Sequence, residues 1–126
     1  MYRAYGLLQP GSDFSIDEAA NRLRARFPAA TVTAAGARIT LIDGDWGIEF
    51  WLNTDPSVLT ESIGFAEKIA GVVDGLDIES CASRVEVWSD TQDPFIEHLA
   101  DFHTVLELLR SFRGLILIDP IEPALM

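Results

Sequence analysis

One stretch of the chain gathers residue types able to do acid–base or metal chemistry: Asp93, Glu97, His98 and Asp101. If Asp93-Pro94 opens a helix, positions 97, 98 and 101 fall at i, i+1 and i+4, where a carboxylate, an imidazole and a second carboxylate share a surface. Such a set could bind a divalent cation or poise His98 as a general base. Acids in a first helical turn are also what the helix dipole favours, so a solvated helix face accounts for the same residues. His98 and His103 stand five residues apart, about 140° around a helix, and miss the i, i+4 pairing of a zinc helix. No catalytic residue is assigned and no cofactor or metal is expected; Glu97, His98 and Asp101 are the candidate ligands should a metal bind.

Other chemistry is excluded by spacing or surroundings. Ser80-Cys81-Ala82-Ser83 places a thiol among acids, which raises its pKa and opposes a nucleophilic role. Gly36, Gly44, Gly47 and Gly75 lack the spacing of a phosphate-binding loop. Cys81 is alone, so neither an internal disulfide nor a multi-cysteine metal cluster can form.

A second pattern points to binding. Glu49-Phe50-Trp51-Leu52-Asn53-Thr54-Asp55-Pro56 is echoed by Glu86-Val87-Trp88-Ser89-Asp90-Thr91-Gln92-Asp93-Pro94. Each reads as a strand ending in Glu-apolar-Trp, a polar loop, and an Asp-Pro pair that starts a helix. Strand alternation puts Ile48, Phe50 and Leu52 on one side and Glu49 and Trp51 on the other. Likewise Val85 and Val87 oppose Arg84, Glu86 and Trp88. A sheet face carrying Trp51, Trp88, Glu49, Glu86 and Arg84 can anchor a protein partner or hold a cationic group against the rings. The competing explanation is that each Trp plugs its own strand-to-helix junction.

Charge narrows the class of partner. The formal net charge is −11 over 126 residues, and it is uneven: residues 1–63 hold eight acids and five bases, residues 64–126 twelve and four. The segment from Asp74 to Asp101 carries eight acids against Arg84 alone. Such a field repels phosphate backbones and anionic lipid, and attracts basic proteins. Nucleic-acid and membrane binding are therefore not expected. Acidity that merely serves solubility is the plainer alternative. The longest apolar run, Leu115 to Ile118, cannot span a bilayer, and the expected location is the cytoplasm.

The elements that must position these residues follow from periodicity. Tyr2 to Leu8 reads as a strand, and Ser15 with Glu18 forms a capping box before Ile16, Ala19, Ala20, Leu23 and Phe27 at helical spacing. Pro28 ends that helix, whose other face bears Arg22 and Arg26, with Arg24 to the side. Ala30 to Ala34 is a possible edge segment; Arg38 to Ile42, the turn Asp43-Gly44, and Trp46 to Leu52 form a hairpin. Asp55-Pro56 opens a second helix with Leu59, Ile63, Ala66, Ala70 and Val73 inward. Gly71 to Ser83 reads as an acidic loop with a short strand near Ile78. Arg84 to Trp88 is a strand, a helix runs from Asp93-Pro94 with Phe95, Leu99, Phe102, Leu106 and Leu109 inward, and Gly114 ends it. Leu115 to Ile118, apolar throughout, is expected at the centre of the sheet.

The expected fold is α+β and a single domain over residues 1–126, with an extended tail over 119–126. It has one mixed sheet of about five to six strands, ordered β-α-β-β-α-β-α-β along the chain, and three helices packed mainly on one face. Strand–helix–strand crossovers imply parallel later strands beside the antiparallel hairpin. Small size, strong acidity and the lack of a catalytic set resemble the small bacterial immunity proteins that mask basic nuclease toxins, a resemblance of composition that covers no motif. The expected function is non-enzymatic: an acidic interaction protein for a basic protein partner, immunity-like in its most specific form. The alternatives are a homodimer associating through the Trp-bearing face, and a small-molecule or metal-binding domain using Glu97, His98 and Asp101.

Overall fold

The computed structural model describes residues 2–69 and 76–126. The expected inward positions Ala70 and Val73, Gly75, and the start of the acidic loop fall outside these residues. Strand β1 (Tyr2–Leu8) leads to helix α1 (Ile16–Arg26), and then come β2 (Thr31–Ala35), β3 (Arg38–Asp43) and β4 (Trp46–Asn53). Helix α2 (Ser57–Ile69) and a 3-10 turn at Ile78–Ser80 precede β5 (Ser83–Ser89). Helix α3 (Leu99–Arg110), β6 (Leu115–Asp119) and β7 (Ala124–Leu125) complete the chain. The result is an α+β fold with one sheet, in the order β2-β3-β4-β5-β1-β6-β7.

The local signals explain most of these elements. Ser15 accepts from the Glu18 amide at 3.1 Å, so half of the capping box forms and α1 starts where expected. The β3–β4 turn uses Gly44 at φ 63°, a left-handed value that favours glycine. Asp55 accepts from the Ser57 amide at 2.9 Å and starts α2.

The sheet differs from expectation in number and direction. Among the described residues it has seven strands, and every neighbouring pair is antiparallel, so it is not mixed. β5 and β6 do run in the same direction, but β1 lies between them and pairs antiparallel with both. The excursion from β4 through α2 returns to β5 as the adjacent antiparallel strand, with Asn53 opposite Arg84, so no crossover occurs there. β6 is sixth of seven rather than central. Its apolar run is still explained by burial on both faces, Leu117 in one core cluster and Ile116 and Ile118 in the other. The tail turns back through residues 120–123 to pair as β7.

Two core clusters divide the faces. On the first face, α1 and α3 cover Ala4, Ile39, Leu41, Ile48, Phe50, Val85, Val87 and Leu117. On the second, Phe65 and Ile69 of α2, with Ile78 and Cys81 of the 3-10 turn, cover Leu7, Ile116 and Ile118. Two helices thus share one face, and α2 sits on the other at the β1–β6–β7 end. Its inward positions are Val58, Ser62 and Ile69, whereas Leu59 and Ile63 are 41% and 46% exposed. The packing stripe is rotated from the one expected because the small hydroxyl of Ser62 is buried, donating to the Cys81 carbonyl at 2.6 Å.

Candidate functional site

Strand pairing brings the echoed residues together. Glu49 lies opposite Trp88 and Trp51 opposite Glu86, reciprocal cross-strand pairs on the second face, and Asn53 lies opposite Arg84. On the next strand Arg38 faces Trp51 and Thr40 faces Glu49. All five expected site residues, Trp51, Trp88, Glu49, Glu86 and Arg84, therefore share one face, as alternation requires.

They do not share one environment. Helix α2 covers the Arg84 end. Arg84 is 5% exposed, donates through Nη1 to Glu61 Oε2 on α2 and through Nε to Glu86 Oε2 at 2.9 Å, and lies 4.2 Å from the Tyr5 ring centroid. Asn53 Nδ2 adds a third donor to this network, 2.7 Å from the same Glu86 oxygen. Arg84 and Glu86 are thus engaged with their own chain, an internal clamp between sheet and helix.

Among the described residues, no helix lies on the half of the face over β3, β4 and the end of β5. Trp51 and Trp88 are half-buried there, and Ile42 at its margin is 45% exposed. The guanidinium carbon of Arg38 lies 5.5 Å from the Trp51 ring centroid and 5.8 Å from that of Trp88. Glu49 accepts from Thr40 Oγ1 at 2.8 Å through Oε2. Both Trp rings thus lie beside Arg38 on this half of the face. Sequence reasoning missed Arg38, although Ile39 and Leu41, buried on the first face, place it by alternation on the second.

Charge of both signs lies on each layer. Five of the nine basic residues, Arg22, Arg24, Arg26, Arg110 and Arg113, lie on α1, on α3 or just beyond it. On the opposite side, Glu49, Glu61, Glu67 and Glu86 lie on the second face and its helix together with Arg3, Arg38, Arg84 and Lys68.

The acid–histidine set is rearranged. Asp93-Pro94 does not open α3, which begins at Leu99. The Asp93 carboxylate instead accepts from the Tyr2 hydroxyl and from the amides of Glu97 and His98, each at 2.9 Å. Burial opposes its ionisation, and these donors outweigh it, holding the carboxyl below its ordinary range. The chain passes through Ile96 at φ 57° to reach that arrangement. His98 stacks on Trp46, ring centroids 5.0 Å apart and 5° from parallel, and its Nδ1 lies 3.0 Å from Asp101 Oδ2. Its Nε2 is 3.8 Å from Asp45 Oδ1, so its carboxylate neighbours are Asp101 and Asp45, not Glu97. The hydrogen bond to Asp101 raises the His98 pKa, burial opposes that, and the charges of Asp93, Asp101 and Asp45 add to it. The buried Trp46 indole N–H has no acceptor among the described residues. No group of three or more His, Cys, Asp or Glu among them could hold a metal ion.

Burial, then Asp77 and Glu79, push the Cys81 thiol up to about 12, which suits an inert core residue. A cleft of about 400 Å³ opens at the ends of β1, β4 and β5, lined by Gln9, Ser12, Phe14, Leu52, Thr54 and Ser83 among others, with no ionisable side chain among the described residues. No helix among the described residues is long and apolar enough to cross a membrane. Comparison with protein families, curated proteins and solved structures finds no match to this chain.

Proposed function

We propose that this chain is a non-enzymatic interaction protein that docks a basic protein partner on the open half of the sheet's second face. The observation that carries the reading is the pair Trp51 and Trp88, half-buried and adjacent on the part of the face that α2 leaves uncovered. Tryptophan and arginine are favoured anchors at protein interfaces, and paired antiparallel strands hold them at fixed positions on the face. The net charge of −11 favours a cationic partner and fast, salt-sensitive association. Inhibition of a basic toxin is the most specific form of this reading, and a cytoplasmic setting fits a lone buried thiol.

The test compares immobilised wild-type protein with the double variant Trp51→Ala/Trp88→Ala in capture from the source lysate at low and high salt. A basic polypeptide should be retained by the wild type at low salt and lost both at high salt and with the double variant. Equal retention by the double variant would overturn the docking face. A dimer that the double variant dissociates would instead place a second copy of the chain there.

A further inference from the structure

We infer that Arg38 is a stand-in on the Trp51–Trp88 platform, occupying the seat that a guanidinium of the partner takes on docking. The inference rests on the docking reading above and names the chemistry recognised there. Three arginines in the described chain lie over aromatic rings, and they fall into two kinds. Arg22 sits 3.9 Å from the Phe112 centroid and also bonds Glu18 and Ser111; Arg84 sits 4.2 Å from Tyr5 and also bonds Glu61 and Glu86. Arg38 lies at 5.5 and 5.8 Å from its two rings, near the limit for a cation–π contact, and is exposed. Its guanidinium has no hydrogen-bond or carboxylate partner among the described residues. The first two are fastened in place, and the third rests loosely on a platform wide enough for a closer guest.

The surroundings suit a second guanidinium. Glu49 lies opposite Trp88, and only its Oε2 is engaged, by Thr40. A planar guanidinium stacked on Trp88 can therefore meet an uncommitted carboxylate oxygen at the edge of the ring. Arginine satisfies both demands at once, stacking and in-plane donation, where lysine satisfies neither geometry as well. The Glu49 carboxylate beside Trp88, in a chain of net charge −11, favours exchange of one cation for another over an empty seat.

A labelled basic peptide containing arginines and its lysine counterpart of equal length and charge serve as probes, with binding followed by anisotropy. Arg38→Ala should bind the arginine peptide about three- to fivefold tighter than the wild type, the gain expected when a competing cation–π contact is removed. Arg3→Ala is the charge control: Arg3 lies on the same face opposite Trp88 and is half-exposed. It should tighten both peptides by the same smaller factor. The double variant Trp51→Ala/Trp88→Ala should lose the preference for arginine. The inference is overturned if Arg38→Ala weakens binding, which would make Arg38 itself the anchor for a partner's carboxylate. It is equally overturned if that variant matches Arg3→Ala, or fails to bind the arginine peptide at all. Should any of these occur while partner capture still requires both tryptophans, the docking face stands and only the stand-in role falls.

Discussion

His98 and Arg84 show how a charged side chain can be read as a site and prove to be held by its own chain. His98 is bracketed by Asp101 and Asp45 and lies flat on Trp46. Its pKa is raised in the folded state, chiefly by Asp101, so the protonated form stabilises the fold. That contribution is fully present below the unfolded value of about 6.5 and is lost as pH rises through the folded value. An NMR titration of the His98 imidazole should therefore give a midpoint above the ordinary one. Asp101→Asn should lower it and shrink the gain in stability seen at acid pH in denaturant titrations. At Arg84 the stakes are larger, because the guanidinium is buried and its removal leaves Glu86 short of a partner in a partly buried position. Arg84→Ala should cost about 2–4 kcal/mol in urea unfolding. Glu61→Gln, at the half-exposed end of the same network, should cost less than about 1 kcal/mol. A smaller loss at Arg84 than at Glu61 would contradict the clamp.

At the scale of elements, the strands were legible where alternation is strict, and so was α1, with its capping serine and apolar stripe. The shared face of Trp51, Trp88, Glu49, Glu86 and Arg84 was legible for the same reason, since parity survives any choice of strand order. Strand order was not, because adjacency depends on which faces the helices cover, and periodicity does not encode that. The insertion of β1 between β5 and β6 turns an expected parallel pair into two antiparallel ones. The start of α3 was misplaced because the Asp93 carboxylate bonds Tyr2, 91 residues away, as well as the local amides. Helix α2 misled differently: Leu59 and Ile63 are apolar yet exposed, while polar Ser62 faces inward. Ser62→Ala strands the buried Cys81 carbonyl and should cost about 1–2 kcal/mol in chemical denaturation. Leu59→Ala and Ile63→Ala should each stay within about 0.5 kcal/mol of the wild type. The reverse order of losses would mean that the helix packs on its Leu59–Ile63 side.

At the scale of the whole molecule, one quantity should act on folding and on the proposed docking with opposite signs. A net charge of −11 repels itself, and compaction into one small sheet-and-helix body raises the cost of that repulsion. Internal pairs offset only part of it: Arg84 with Glu61 and Glu86, Arg22 with Glu18, Arg3 with Asp90. Screening therefore relieves the fold. Raising salt from about 20 mM to about 0.5 M shortens the Debye length from roughly 20 Å to roughly 4 Å, below the spacing of most surface charges. Scanning calorimetry over that range should show the thermal midpoint climbing by about 2–4 °C, a gain of roughly 0.5–1 kcal/mol. The same change should weaken capture of a basic partner, since it removes the attraction that speeds encounter. A fold stabilised by salt while docking fails ties the acidity to recognition, because loss of docking cannot then be laid to unfolding. If both rise together, the docking face works by apolar contact of the two tryptophans alone, and the acidic charge serves solubility.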